Sequence, residues 1–228
     1  MEKSKNDRMV EILRRIKPER HGAVVEAMAE RGVSYGLSYG VAIPVIRRVA
    51  GEYAPDHALA EYLFLQDVRE LKLAAVYVDD PKQVTVEQMN RWADAMPTDE
   101  VMEHAAMQLF YAAPDAPEVI RAWLTVADRS RWKGALQMIG RQAMKGLLNE
   151  AQAIDLLSLI EQFLLTASDS SLSTVDDLPR RATVFALERL AGVSPELSRQ
   201  TLALTTRLKQ SPRPSLREIA EEIEALLS

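Results

Sequence analysis

The stretch Leu216-Arg217-Glu218-Ile219-Ala220-Glu221-Glu222-Ile223-Glu224-Ala225-Leu226-Leu227 reads as an amphipathic α-helix. Leu216, Ile219, Ala220 and Ile223 recur at i, i+3, i+4 and i+7, and Leu226 and Leu227 carry the stripe on. Met9, Ile12, Leu13 and Ile16 repeat that spacing near the other end of the chain. Between them, helix-start signals recur at short intervals: Pro18-Glu19, Pro55-Asp56, Thr85 with Gln88, Pro97-Thr98-Asp99, Pro117-Glu118, Pro195-Glu196 and Ser215 with Glu218. A Pro or small hydroxyl ahead of acids suits the open N–H groups and positive dipole end of a helix. Gly32, Gly146 and Gly192 read as stops. No alternating β-branched run is long enough for a strand. The expectation is an all-α chain of about eleven helices of roughly 10 to 18 residues.

Two stretches break the pattern. Gly32-Val33-Ser34-Tyr35-Gly36-Leu37-Ser38-Tyr39-Gly40 reads as an aromatic-glycine loop, and residues 167–177 as a polar loop. Neither marks a change of composition, so residues 1–228 are expected to form a single domain.

A short internal repeat supports one architecture. Asp67, Asp99, Asp128 and Asp177 each look like helix starts, followed five to seven residues later by small residues. These are Ala74-Ala75, Ala105-Ala106, Gly134-Ala135 and Ala182. Small residues at one level of successive helices allow close crossings, as stacked helix pairs require. Three of the units are spaced by about thirty residues, somewhat below the usual period of HEAT or armadillo repeats. A HEAT/armadillo-like α-solenoid of antiparallel helix pairs is the favoured architecture, and a compact bundle the alternative.

Composition removes several classes of function. The chain has 228 residues and no Cys, which excludes disulfide scaffolds, thiolate metal sites and cysteine nucleophiles. The longest apolar runs, such as Leu73 to Val78, fall far short of a membrane span. The first residues are charged and lead into no hydrophobic segment, so no secretory signal is read and a soluble cytoplasmic protein is expected. His21, His57 and His104 are too far apart for metal-ligand spacing. No Walker-type loop, dinucleotide fingerprint or Gly-x-Ser-x-Gly elbow occurs.

The net charge of −5 argues against a uniformly basic nucleic-acid binder. The charge is segregated, however. Arg121, Arg129, Arg131, Lys133, Arg141 and Lys145 face a single acid, Asp128, whereas residues 146–178 carry acids and no Lys or Arg. A local polyanion site is compatible with that distribution.

The segment Gly40-Val41-Ala42-Ile43-Pro44-Val45-Ile46-Arg47-Arg48-Val49-Ala50, then His57-Ala58-Leu59-Ala60 and Asp67-Val68-Arg69-Glu70, resembles the DNA alkylation repair (AlkD-like) family of HEAT-like repeat DNA glycosylases. That family carries Gly-Val-x-x-Pro-x-Ile-Arg-x-Ile-Ala, a helix with Leu-Ala, and an Arg-Glu pair opening the next helix. Tyr35-Gly36-Leu37-Ser38-Tyr39 is similar to the preceding loop of one branch. Weaker similarity runs through Trp92, Met107 to Phe110 and Trp123. Arg181-Ala182-Thr183-Val184-Phe185-Ala186-Leu187 resembles the family's basic-Ala-x-x-Trp helix, with Phe for Trp. The resemblance covers roughly residues 20–190.

It implies a curved solenoid with a basic concave groove for duplex DNA, and excision of cationic N3- or N7-alkylated purines without metal or nucleotide cofactor. A cationic base leaves readily, so a carboxylate near the sugar and aromatic faces near the charge suffice. Active members carry Trp-Asp-x-x-Asp at the start of a central helix. The matching stretch here is Thr98-Asp99-Glu100-Val101-Met102-Glu103, which has no Trp and places Met102 at the catalytic position, or Glu103 after a one-residue shift. Trp132-Lys133-Gly134-Ala135 looks like the family's Trp-x-x-Arg, without the Arg.

The candidate carboxylates are Glu103 first and Asp99 second. Both also suit a helix's first turn, where acids favour the dipole. The candidate DNA contacts are Arg47, Arg48, Arg129, Arg131, Lys133, Arg141, Lys145 and Arg181, with the aromatics Trp132 and Phe185. A solvated basic face accounts for the same Arg and Lys residues, and a core role for either aromatic. Arg14, Arg15, Lys17 and Arg20 read as a surface face. The partner implied is alkylated duplex DNA. The alternative is a catalytically inactive HEAT-like scaffold binding DNA or a protein, which needs only the fold.

Overall fold

The computed structural model describes residues 3–33, 35–126, 128–166 and 178–228. Among them the chain is all-α, with thirteen α-helices, three short 3₁₀ turns and no β-strand. The nearest approach to a sheet is one isolated bridge, Leu37 to Val68. The proline-rich breaks divide the chain more finely than periodicity suggests. Pro18 and Pro81 sit in 3₁₀ turns at Lys17–Glu19 and Pro81–Gln83, and a third turn spans Phe110–Ala112.

The chain divides into two compact units, Met1–Asp115 and Ala116–Ser228. The first holds α1 (Lys5–Ile16), α2 (Gly22–Glu30), α3 (Ile43–Gly51), α4 (His57–Phe64), α5 (Arg69–Val78), α6 (Val86–Ala95) and α7 (Asp99–Gln108). The second holds α8 (Ala116–Thr125), α9 (Arg129–Met144), α10 (Glu150–Thr166), α11 (Leu178–Ala191), α12 (Pro195–Lys209) and α13 (Pro214–Leu227).

Local chemistry sets most helix starts. Ser4 and Asp7 form a reciprocal capping box on α1. Asp56, Thr85, Asp128 and Ser194 each accept the backbone N–H three residues on, opening α4, α6, α9 and α12. Two expected starts are displaced: Pro18-Glu19 forms only a 3₁₀ turn, with α2 starting at Gly22, and α13 begins at Pro214, with Arg213 at the cap, so Ser215 lies inside the helix and buried. Pro214 takes the first helical position because its missing N–H has no partner to lose there. Gly32 and Gly146 are stops with φ of 74° and 66°, whereas Gly192 ends its helix without positive φ.

Each unit is built on one helix buried nearly all round. In the first unit that helix is α5, whose residues Arg69 to Val76 are all buried and which packs on α3, α4 and α7. In the second it is α9, buried from Trp132 to Gly140 and packed on α8 and α11. Alternate helices therefore stack into a layer within each unit: α1, α3, α5 and α7 in one, α9, α11 and α13 in the other. The predicted small residues lie at these crossings, with Ala74, Ala75, Ala105, Ala106 and Ala135 fully buried. Asp177 and the polar stretch 167–177 lie outside the described residues.

Gly140 shows how close one crossing is. A Cβ there would lie 2.4 Å from Phe185 Cε1, so the Phe185 ring of α11 rests on the backbone of α9. Trp92 and Trp123 are core residues at 1% exposure, and Trp92 stacks on Phe64 with ring centroids 4.0 Å apart. No described helix is long and apolar enough to cross a membrane.

Candidate functional site

Burying a charged residue on a central helix requires a partner. The Arg69-Glu70 pair that opens α5 has one for nearly every polar atom. Glu70 accepts the backbone N–H groups of Tyr39 (3.1 Å) and Val41 (3.2 Å). Arg69 Nη1 donates to Val41 O at 2.9 Å and to Glu70 at 3.1 Å. The pair thus fastens the aromatic-glycine loop onto α5. Gly40 in that loop has φ +68°, and a Cβ there would meet His21 O at 2.3 Å, so both conformation and space require glycine.

The other side of the Arg69 guanidinium reaches α7. Its Nε and Nη2 donate to the two oxygens of Glu100 at 2.9 and 2.6 Å. Tyr35 from the loop also donates to Glu100 at 2.5 Å and shares a hydrogen bond with Thr98 at 2.6 Å. Burial opposes ionisation of Glu100, but the bonds from Arg69 and Tyr35 outweigh it and hold its pKa below the ordinary value. Burial, then the Glu100 carboxylate, push the Tyr35 hydroxyl well above its ordinary value. Glu100 is therefore an occupied structural carboxylate.

Beside this lock, three helices of one layer bring four kinds of side chain together. Arg47 on α3 is exposed, with its guanidinium carbon 6.0 Å from the centroid of the Tyr77 ring on α5. Tyr77 shares a 2.9 Å hydrogen bond with His104 Nδ1 on α7. Burial depresses the His104 pKa, ahead of opposing influences from Glu100 and Glu103, so the imidazole is neutral near pH 7. Glu103, the next residue back, is exposed. The result is an exposed cation, an aromatic face, a neutral imidazole and an exposed carboxylate on adjacent helices.

The other sequence-derived candidates fall as follows. Asp99 is half-buried at the first position of α7, and Met102 is fully buried. Arg48 is exposed on α3. In the second unit, Arg129, Arg131 and Arg141 are half-buried on α9, where Arg131 pairs with its own cap residue Asp128 at 2.6 Å. Lys145 is exposed just past the end of α9, and Arg181 is exposed on α11. Lys133, by contrast, is 3% exposed, and Trp132 at 8% sets its ring edge-on to Phe163, 5.0 Å between centroids. The buried Trp132 Nε1 has no hydrogen-bond partner among the described residues. Phe185 is half-buried, with Arg189 Cζ 5.8 Å from its ring centroid.

Sequence reasoning missed Tyr77 and gave His104 no role of its own. A tyrosine inside the apolar run Leu73 to Val78 was the available signal for the first. No described group of His, Asp or Glu side chains has the arrangement of a metal site.

No curated protein matches the chain. Among solved structures, a protein described as one of a new family related to the HEAT-like repeat DNA glycosylases, with affinity for branched DNA structures, superposes with a TM-score of 0.72. It is 13% identical, with 95% of this chain and 94% of that one covered, a likeness that establishes the fold. A designed armadillo repeat protein, 14% identical over 82% of this chain and 93% of its own, reaches only 0.36, too low to bear on the fold. The family model for DNA alkylation repair enzymes matches residues 13–223, nearly the whole length. The chain belongs to the DNA alkylation repair enzyme family.

Proposed function

We propose that this protein binds alkylated duplex DNA along the layer formed by α3, α5 and α7, and excises cationic N3- or N7-alkylated purines. The observation that carries the reading is the Arg47–Tyr77–His104 arrangement with Glu103 beside it. Arg47 and Arg48 supply phosphate contacts. On the second unit the exposed or half-buried cations Arg129, Arg131, Arg141, Lys145 and Arg181 supply more.

The chemistry needs little machinery. When the C1′–N bond breaks, its electron pair goes to the base and cancels the positive charge there. The sugar becomes a cation, which a nearby carboxylate stabilises until water adds at C1′ and gives up a proton. Glu103 is the first candidate for that carboxylate and Asp99 the second, because Glu100 is neutralised by Arg69 and Tyr35. A neutral His104 adds no competing positive charge to the site.

A second reading has its own support. By the family resemblance, the fully buried Met102 falls where active members carry the catalytic Asp, unless a one-residue shift puts Glu103 there, and one solved structure with the same fold is described as having affinity for branched DNA. In that reading the protein binds DNA without turnover.

Release of methylated purines from alkylated duplex DNA separates the two. Loss of about 100-fold in Glu103→Gln or Asp99→Asn, the order expected for one electrostatic stabiliser, supports excision and assigns its carboxylate. No release by the wild type, with salt-sensitive binding weakened by Arg47→Gln, leaves a non-catalytic binder.

A further inference from the structure

Seven cations lie between Lys3 and Arg20. Lys3, Arg8 and Arg15 pair with Glu11, Asp56 and Glu52 at 2.7, 2.5 and 2.5 Å. Arg14, Lys17 and Arg20 line a surface cleft of about 430 Å³ with Pro18, with no acid among its described lining residues, although Arg14 also borders a neighbouring cleft with Asp7 and Glu11. Arg14 and Arg20 are exposed and Lys17 is half-buried. The carbonyl end of α1 favours a cation at Arg14. Lys17, the residue that caps α1, gains from the same end, but Arg20 lies beyond it and turns to the same cleft, where the three charges repel one another.

The cleft is also held in shape. The Lys17 ammonium lies 4.9 Å from the centroid of the Tyr39 ring. Tyr39 is fixed from both sides: its N–H is held by the buried carboxylate of Glu70, and its carbonyl accepts the N–H of His21 at 3.0 Å, one residue past Arg20. The buried Arg69-Glu70 pair therefore anchors the cleft through the loop, and the stems of Lys17 and Arg20 start from fixed backbone.

We propose that this cleft binds one or two DNA backbone phosphates, as a contact separate from the α3, α5 and α7 site. Two guanidinium forks and one ammonium around a volume of this size suit tetrahedral phosphate oxygens, bidentate from Arg and as a point charge from Lys. The three cations that line it with Pro18 favour a polyanion over a mixed-charge protein surface. The proposal rests on the reading that the chain binds DNA, and its test distinguishes the two.

The full chain is titrated with a labelled duplex over a range of salt concentrations. The variants are Arg14→Gln/Lys17→Gln/Arg20→Gln, the single Arg20→Gln and, as a paired-cation control, Lys3→Gln. Each occupied phosphate contributes close to one unit to the slope of log affinity against log salt. The triple variant is expected to lose about 1 to 2 units of slope, and Arg20→Gln up to about 1, with Lys3→Gln at the wild-type value. Arg20→Gln, at an exposed position, keeps the test valid should the triple variant unfold. Wild-type slopes in both variants, with DNA still bound, overturn the cleft as a phosphate site and leave the proposed function standing; this is also the result if the cleft serves an acidic protein. No DNA binding by the wild type overturns both.

Discussion

Arg69 and Glu100 form a two-pronged ion pair between α5 and α7, in which Nε and Nη2 on one edge of the guanidinium donate to the two carboxylate oxygens at 2.9 and 2.6 Å. The arginine side chain is 4% exposed and the carboxylate 27%. Removing one partner from such a pair leaves the other charge poorly solvated. Arg69→Ala strands Glu100 and Glu70 together and releases the Val41 carbonyl, so a loss of about 3 kcal/mol is expected. Urea unfolding measures it. A loss below about 0.5 kcal/mol, the level of an unremarkable surface change, would falsify the claim that this network joins the loop, α5 and α7.

The contact between Gly140 and Phe185 gives a second prediction with its own internal control. Gly140→Ala places a methyl 2.4 Å from the ring carbon, inside any real contact distance. Overpacking of this kind costs about 1 to 3 kcal/mol, despite the gain in helix propensity. Phe185→Leu removes the outer ring atoms, so the double variant should recover part of the loss. A thermodynamic cycle shows this as non-additivity of 0.5 kcal/mol or more, roughly the threshold for residues in contact. Strict additivity would mean that the two helices do not meet there.

Much of the fold was legible because helix starts are local. Asp56, Thr85 and Asp128 act as caps through bonds spanning three residues, which sequence displays directly. Ser215 failed because Pro214 competes for the same helix start. The site was less legible. Tyr77 and His104 are 27 residues apart and meet only because α5 and α7 pack together. Lys133 reads as a surface cation because lysines are rarely buried. Its position on the helix at the middle of the second unit overrides that expectation, and periodicity cannot reveal it when a helix is covered on all sides.

His104 gives a pH dependence whose sign is fixed by burial. Its folded pKa lies below the ordinary value of 6.5. Well above that value both folded and unfolded chains hold a neutral imidazole, and the group favours neither. As pH falls below it, the unfolded chain takes up a proton that the folded chain resists, so stability falls until the folded pKa is passed. Glu100 acts with the same sign in a lower window, stabilising above its ordinary 4.5 and losing that contribution as pH falls through the depressed folded value. Asp79 has the opposite sign, since burial raises its pKa against the bonds from His57 and Gln88. Melting temperatures between about pH 7.5 and pH 5 should therefore fall less steeply in His104→Gln than in the wild type. Parallel curves would place the acid sensitivity elsewhere.

Lys133 and Arg47 should separate a structural cation from a DNA-facing one. Arg47 is exposed on α3, and its head group lies over Tyr77 without burying its charge. Arg47→Gln is expected to change stability by no more than about 0.5 kcal/mol, while reducing the salt slope of duplex binding by about 1. Lys133 is 3% exposed on the central helix of its unit, so a phosphate cannot reach its ammonium without opening the packing. Lys133→Gln should lower the melting temperature and keep the wild-type salt slope. Binding titrations and thermal melts on the same two variants check both halves. A lower slope in Lys133→Gln at unchanged stability would mean that α9 turns this side chain outward when DNA is bound.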